Sequence, residues 1–144
     1  MTNINPEPGH VNVSTYAFHE WARHYYQCVQ DFAHSRVTRS WSPVPYALLC
    51  RAIELELKAR HLELTPGQPA MKKFGHDLEK AYDALPANQK VLTVIERDLL
   101  RKTNDVYIDD KGFDYVQVGD IATAYSRFPD LASLDALAKK LLGL

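Results

Sequence analysis

The tetrapeptide Gly75-His76-Asp77-Leu78 places an imidazole beside a carboxylate at the point where a helical segment should begin. The first amides of a helix are unpaired donors with partial positive charge, so a carboxylate in the first turn is stabilised there. A histidine can donate from one ring nitrogen and accept at the other, which suits it to bridging a second carboxylate. The pair therefore fits acid–base chemistry, an anion site or a structural bridge.

A second set of ionisable residues comes earlier in the chain. Arg51, Glu54, Lys58 and His61 are spaced by three, four and three residues, which puts them on one face of a helix. Glu54 and Lys58 also form the favourable pair of an acid four residues before a base, as do Glu56 and Arg60, and such charged faces are typical of a solvated helix surface. Within this set, Glu54 is the carboxylate that we expect His76 to meet.

Three interpretations of these residues follow. In the first, His76 fastens its short helix to the helix of Glu54, through Glu54 or a backbone carbonyl, and the remaining charges form a solvated helix face. In the second, Glu54, Lys58, His76 and Asp77 surround a polar cleft that receives a phosphate or a nucleotide, with the helix N-terminus as the anion site. The third is acid–base catalysis, for which the sequence offers no nucleophile or metal set that would complete a mechanism.

Other sites that a sequence can reveal are missing here. The six histidines show no H-x-x-x-H or H-E-x-x-H spacing, and there is no G-x-S-x-G, P-loop or dinucleotide motif. Cys28 and Cys50 lack C-x-x-C spacing, so we expect reduced, buried thiols. We therefore expect no metal and no cofactor.

The net charge and the hydropathy of the chain limit the kinds of partner that we expect. With 17 basic and 18 acidic residues the net charge is -1, so no global field draws the chain to nucleic acid or to an anionic membrane. No apolar run reaches the ~18 residues of a membrane span, and residues 1–13 show no basic stretch followed by an apolar run. We expect a cytoplasmic protein with no membrane association.

The elements that position the candidate residues can be read from periodicity. Residues 1–13 contain Pro6, Pro8 and Gly9 and predict a mobile arm, followed by a single domain at 14–144. Helices are predicted from Ser14 or Thr15, from near Pro45, after Gly75, from near Leu92 to Tyr107, and after Pro129. The inward positions predicted for the fourth helix are Leu92, Ile95, Leu99 and Val106, and its polar face carries Arg97, Arg101 and Asn104.

The second predicted helix carries two apolar stripes, which indicates a central position. About five helices without a convincing strand predict an all-α fold, an antiparallel helical bundle.

The order of these motifs resembles the HEPN family of small helical bundles. The resemblance rests on "IELELKA" at 53–59, "FGHDLEKAYDAL" at 74–85 and, more weakly, "KGFDYV" at 111–116. It covers roughly residue 16 to the C-terminus and implies an up-and-down bundle. The family is known as partners of nucleotidyltransferases, as toxin ribonucleases of toxin–antitoxin systems, and as nucleotide-binding or accessory modules, often dimeric.

Two departures from the family pattern bear on activity. The ribonuclease members carry an Arg followed by a His after four to six intervening residues, and no histidine here follows an arginine in that way. Many relatives also have Arg-Tyr-Pro in the aromatic loop, where this chain has Asp114-Tyr115-Val116. Whether the chain is an enzyme is left open, with the missing motif favouring a protein that is not one.

We therefore expect an accessory or ligand-binding module without ribonuclease activity. It would bind a nucleotide or another anionic ligand, or pair with a nucleotidyltransferase-type protein. The candidate ligand-binding residues are Arg51, Glu54, Lys58, His76, Asp77 and Tyr115.

Two alternatives belong to other classes. One is a metal-independent ribonuclease that uses His76, with Arg51 or Arg101 contacting the RNA phosphate. The other is a pure dimeric interaction scaffold. We also expect a homodimer, because the first helix carries more aromatic residues than one narrow stripe can bury: Tyr16, Phe18, Trp21, Tyr25, Tyr26 and Phe32.

Overall fold

The computed structural model describes residues 14–35, 41–66, 73–109 and 127–144. These residues form α1 (Thr15–His34), α2 (Val44–Leu64), α3 (Leu78–Asp83), α4 (Val94–Tyr107) and α5 (Leu131–Leu142), with a 3-10 turn at Ala87–Gln89. No strand occurs among the described residues, and the all-α prediction is confirmed. The predicted arm at 1–13 and the aromatic loop with Tyr115 lie outside the described residues. No helix in the described ranges is long and apolar enough to cross a membrane.

The ends of the helices are set by side chains that cap free backbone groups. Ser14 caps α1 by accepting a hydrogen bond from the amide of Ala17 at 3.3 Å. Thr93 and Glu96 form a reciprocal capping box at the start of α4. Asp130 caps α5, which ends at Gly143 with a left-handed φ of 72°. The predicted starts of α1 and α5 and the predicted end of α4 are confirmed.

The second helix is the centre of the domain. α2 packs against each of the other four helices, and every residue from 52 to 59 is buried. A helix that is surrounded in this way must be apolar on more than one face, which explains the two stripes seen in the sequence. The predicted central position of α2 is confirmed.

Burial on α2 also contradicts one expectation. Glu54, Glu56 and Lys58 are buried, with relative exposures of 2%, 3% and 2%. The interpretation of their helix face as solvated was therefore wrong for these residues. Helices α1, α3 and α4 pack against α2, and Glu56 contacts His19 on α1, so residues that read as a polar face in the sequence become part of the interior.

Two smaller predictions were also wrong. Ile95 was predicted to point inward, but it lies in the first turn of α4 and is 82% exposed. Cys50 is a buried free thiol as expected, whereas Cys28 is free but exposed.

Candidate functional site

A buried carboxylate on α2 organises the group of residues that the sequence singled out. The side chain of Glu54 is 2% exposed and accepts hydrogen bonds at both oxygens. Oε1 accepts from His76 Nδ1 at 2.7 Å and from the Tyr107 hydroxyl at 2.8 Å. Oε2 accepts from Arg51 Nη1 at 2.7 Å and from Lys58 Nζ at 3.1 Å. Four donors from α2, the α3 entry and α4 therefore meet on one carboxylate.

The electrostatics of this group keep Glu54 ionised. Burial alone would raise its pKa, but the hydrogen bonds from His76, Tyr107 and Lys58 and the charge of Lys58 outweigh burial, so the pKa is lowered. Burial and the charge of Glu54 raise the pKa of Tyr107, which stays a protonated donor. Burial, followed by the charge of Glu54, also raises the pKa of the Cys50 thiol. The group therefore holds one ionised carboxylate, with Arg51 and Lys58 as its basic partners.

The predicted bridge between His76 and Glu54 is confirmed by its geometry. Because an ionised carboxylate can only accept, Nδ1 of His76 must carry the proton in this contact. The side chain of His76 is 67% exposed, whereas that of Glu54 is 2% exposed. The bridge therefore joins a buried acid to a surface imidazole whose other nitrogen, Nε2, remains for further contacts.

Asp77 has a structural role as the cap of α3. Its Oδ1 accepts from the amide of Lys80 at 3.0 Å and from Asn104 Nδ2 at 2.9 Å, and Asn104 Oδ1 in turn accepts from the amide of Leu78 at 2.8 Å. Gly75 supplies the turn before the cap with a φ of 55°. The first amides of α3 are thus satisfied inside the protein, and a ligand role for Asp77 stays a prediction.

A cleft between α1 and α2 lies directly beside the Glu54 group. It has a volume of about 430 Å³, and its lining residues are Phe18, Trp21, His24, Tyr25, Arg51 and Leu55. Arg51 belongs to both the cleft and the Glu54 group, and its side chain is 34% exposed. Burial alone would lower the pKa of Arg51, but the charge of Glu54 and the hydrogen bond with Tyr25 raise it. The guanidinium of Arg51, held in place by Glu54, therefore lies at the wall of a cleft lined by aromatic residues.

Other sequence candidates lie elsewhere. His61 Nε2 donates to the carbonyl oxygen of Ala81 at 2.7 Å, and its ring packs on Phe74 with centroids 4.4 Å apart, so it is not part of the Glu54 group. Tyr115 lies outside the described residues. Arg101 contacts Asp98 and Asp105 on α4. Of the sequence candidates, the structure thus brings together Arg51, Glu54, Lys58 and His76, whereas Asp77 contacts Lys80 and Asn104 instead.

Sequence reasoning missed two members of the site. Tyr107 was predicted only as the end of the fourth helix, and Asn104 was noted only as part of a polar helix face. Both residues are on the side of α4 that faces Glu54 and Asp77. Their spacing of three residues on one helix face was the available signal.

Metal binding finds no support in the described part of the chain, where no three His, Cys, Asp or Glu side chains are grouped to hold an ion. No family model, curated protein or solved structure matches this chain.

Proposed function

We propose that this protein is a binding module for a small anionic ligand that carries a flat ring, with nucleotides as the ligand class. The ligand would occupy the cleft between α1 and α2. The observation that carries the proposal is Arg51, which Glu54 holds at 2.7 Å against the cleft wall. A guanidinium has five N–H donors, so contacts to Glu54 and Tyr25 leave others for a phosphate or carboxylate.

The charge of the site favours an anion. Arg51 and Lys58 carry two positive charges against the single charge of Glu54. Lys58 is 2% exposed and cannot reach a ligand, so it acts by offsetting Glu54 and leaving Arg51 as the outward charge. Coulomb interactions weaken only slowly with distance inside a protein, which extends this effect to the cleft wall.

The walls of the cleft favour a planar group. Phe18, Trp21 and Tyr25 supply aromatic surface, and the rings of Phe18 and Trp21 pack edge to face with centroids 5.4 Å apart. Stacking on such side chains stabilises bound bases by about 1–3 kcal/mol each. The volume of about 430 Å³ falls within the common range for small-molecule sites.

The same geometry supports a binding role over catalysis. Both oxygens of Glu54 are occupied by donors, and its lowered pKa makes it a poor proton donor at neutral pH. The Cys50 thiol is buried with a raised pKa, which opposes the thiolate that a nucleophile needs. A ribonuclease using the remaining nitrogen of His76 is the alternative.

A second candidate function, a protein-interaction module, is supported by exposed apolar side chains. Val94 and Ile95 at the start of α4 are 87% and 82% exposed, and Tyr16 on α1 is 67% exposed. Such residues are typical of surfaces that pair with a second chain. A homodimer or a complex with a nucleotidyltransferase-type protein remains a proposal, as does membership of the HEPN family, which the bundle formed by the five described helices supports.

Thermal shift and calorimetric titration test the binding proposal, because a ligand that binds only the folded state raises the melting temperature. The probes are adenosine monophosphate, adenosine and inorganic phosphate. We expect the monophosphate to bind more tightly than either fragment, because only it fills the cleft and meets Arg51.

Variants assign the effect to the cleft. Arg51→Met and Trp21→Leu should each weaken binding, whereas Arg101→Met, which removes an exposed arginine on α4, should not. Circular dichroism checks that each variant is folded. No binding by any probe, or equal binding by Arg51→Met and the wild type, would refute the proposal.

A further inference from the structure

A histidine on α1 is held between two carboxylates of α2. His19 Nδ1 lies 2.7 Å from Glu56 Oε1, and His19 Nε2 contacts Glu63 Oε1 on the other side of the ring. Its side chain is 20% exposed, that of Glu56 is 4% exposed and that of Glu63 is 49% exposed. Both ring nitrogens therefore meet an acceptor.

The hydrogen bonds of this arrangement favour an imidazolium. A neutral imidazole has one N–H, and the second nitrogen would point a lone pair at a carboxylate. Glu56 Oε2 also accepts from Arg60 Nε at 2.9 Å. Two carboxylates that each accept from this ring are satisfied together only when His19 carries both protons.

The position of this contact connects it to the cleft. His19 directly follows Phe18, and Glu56 directly follows Leu55, and both Phe18 and Leu55 line the cleft. The His19 contact thus joins the first turns of α1 to the second half of α2 along the edge of the cleft. A change in this contact changes how firmly the two cleft walls are held together.

We propose that the proton shared by His19 with Glu56 and Glu63 closes the α1–α2 cleft, so that ligand binding there weakens as the proton is lost. This inference rests on the proposed function of the cleft. After deprotonation, Nδ1–H can still donate to Glu56, and the contact to the more exposed Glu63 is lost. The first turns of α1 are then held by one carboxylate rather than two.

The surrounding groups fix the direction of the pH dependence. Glu56 and Glu63 face His19 from α2, and the guanidinium of Arg60 contacts Glu56. On α1, the guanidinium of Arg23 donates to the carbonyl oxygen of Leu142 at the end of α5.

Burial alone would lower the pKa of His19, but the hydrogen bonds and charges of the two glutamates raise it above 6.5. The stabilisation is therefore complete below about pH 6.5 and is lost as the pH rises through the raised pKa.

NMR titration of the histidine ring protons tests the proton directly, without any ligand. We expect His19 to titrate above the ordinary value of 6.5, and Glu63→Gln to bring it down. His34, exposed on the last turn of α1, supplies the control variant His34→Gln. Titration of His19 at or below its ordinary value would overturn the inference, whatever the cleft binds.

Calorimetry then tests the link to the cleft with adenosine monophosphate as the probe. The ratio of wild-type to His19→Gln affinity should fall about two- to fivefold between about pH 6 and about pH 9. A fold-change of this size corresponds to the energy of an exposed ion pair. The same ratio for His34→Gln should stay constant, and a constant ratio for His19→Gln would refute the link. If the probe fails to bind at all, the proposed function fails, and the same pH comparison of melting temperatures decides whether His19 closes the helix pair.

Discussion

Replacing Glu54 with Gln should be among the most damaging single changes in this protein. The variant keeps the size of the side chain but removes the negative charge that four donors share. The ammonium of Lys58, 2% exposed, is then left in the interior without its counter-ion. The new carboxamide also brings two N–H groups to a site already filled with donors.

The magnitude follows from the burial of the two charges. Breaking a buried ion pair by removing one partner costs about 3–5 kcal/mol, because the remaining charge is uncompensated. A domain of this size has a free energy of unfolding of about 5–15 kcal/mol, so the variant should fold but be strongly destabilised. His76→Ala should cost only about 0–1 kcal/mol, because its side chain is 67% exposed and water replaces the lost partner.

Urea denaturation followed by circular dichroism measures these differences as shifts in the midpoint. Asp98→Asn, which removes an acid on α4 whose side chain is 47% exposed, is the matched control and should stay near the wild type. The double variant Glu54→Leu/Lys58→Met should recover most of the loss, because apolar residues of similar size tolerate the interior. If Glu54→Gln destabilises the protein no more than Asp98→Asn, the buried-charge argument is wrong.

Three further predictions concern the same region. Because the pKa of Glu54 is lowered, the ionised carboxylate stabilises the folded protein fully above about pH 4.5, and this stabilisation is lost as the pH falls through the lowered pKa. The denaturation midpoints of the wild type and Glu54→Gln should therefore converge in acid. Asp77→Ala should cost about 1 kcal/mol as a lost cap, and its double-mutant cycle with Asn104→Leu should be non-additive, since the two side chains are hydrogen-bonded. Gly75→Ala should lower the free energy of unfolding by about 1 kcal/mol through its left-handed backbone alone, because no atom lies within 4 Å of the added carbon; equal midpoints would contradict this.

The helices could be predicted from the sequence because their signals are local. The spacing of its apolar residues predicted the central position of α2. The helix caps Ser14, Thr93 and Asp130 have side-chain oxygens that accept hydrogen bonds from free backbone amides. The inward assignment of Ile95 failed because a hydrophobic period identifies a face of a helix. It carries no information on how far along that helix the partners extend.

Only part of the candidate site could be predicted, because the burial of its residues depends on packing that is not local in sequence. The contact of His76 with Glu54 followed from donor and acceptor chemistry at the start of α3. The burial of Lys58 did not follow, because charges at helical spacing are as typical of a solvated face as of a covered one. Only the packing of α3 and α4 on α2, which is not local in sequence, distinguishes the two cases.

A buried Lys58 is hard to explain by stability alone. Apolar residues of similar size can replace a buried ion pair at little or no cost, so the pair is not needed to fill the core. What such a replacement would lose is the anchoring of Arg51, whose guanidinium donates to the same Glu54 oxygen that Lys58 contacts. In Glu54→Leu/Lys58→Met, we therefore expect wild-type-like midpoints together with weakened binding of adenosine monophosphate. Retained binding in that folded variant would mean that the buried charges serve the fold and that the cleft acts without them.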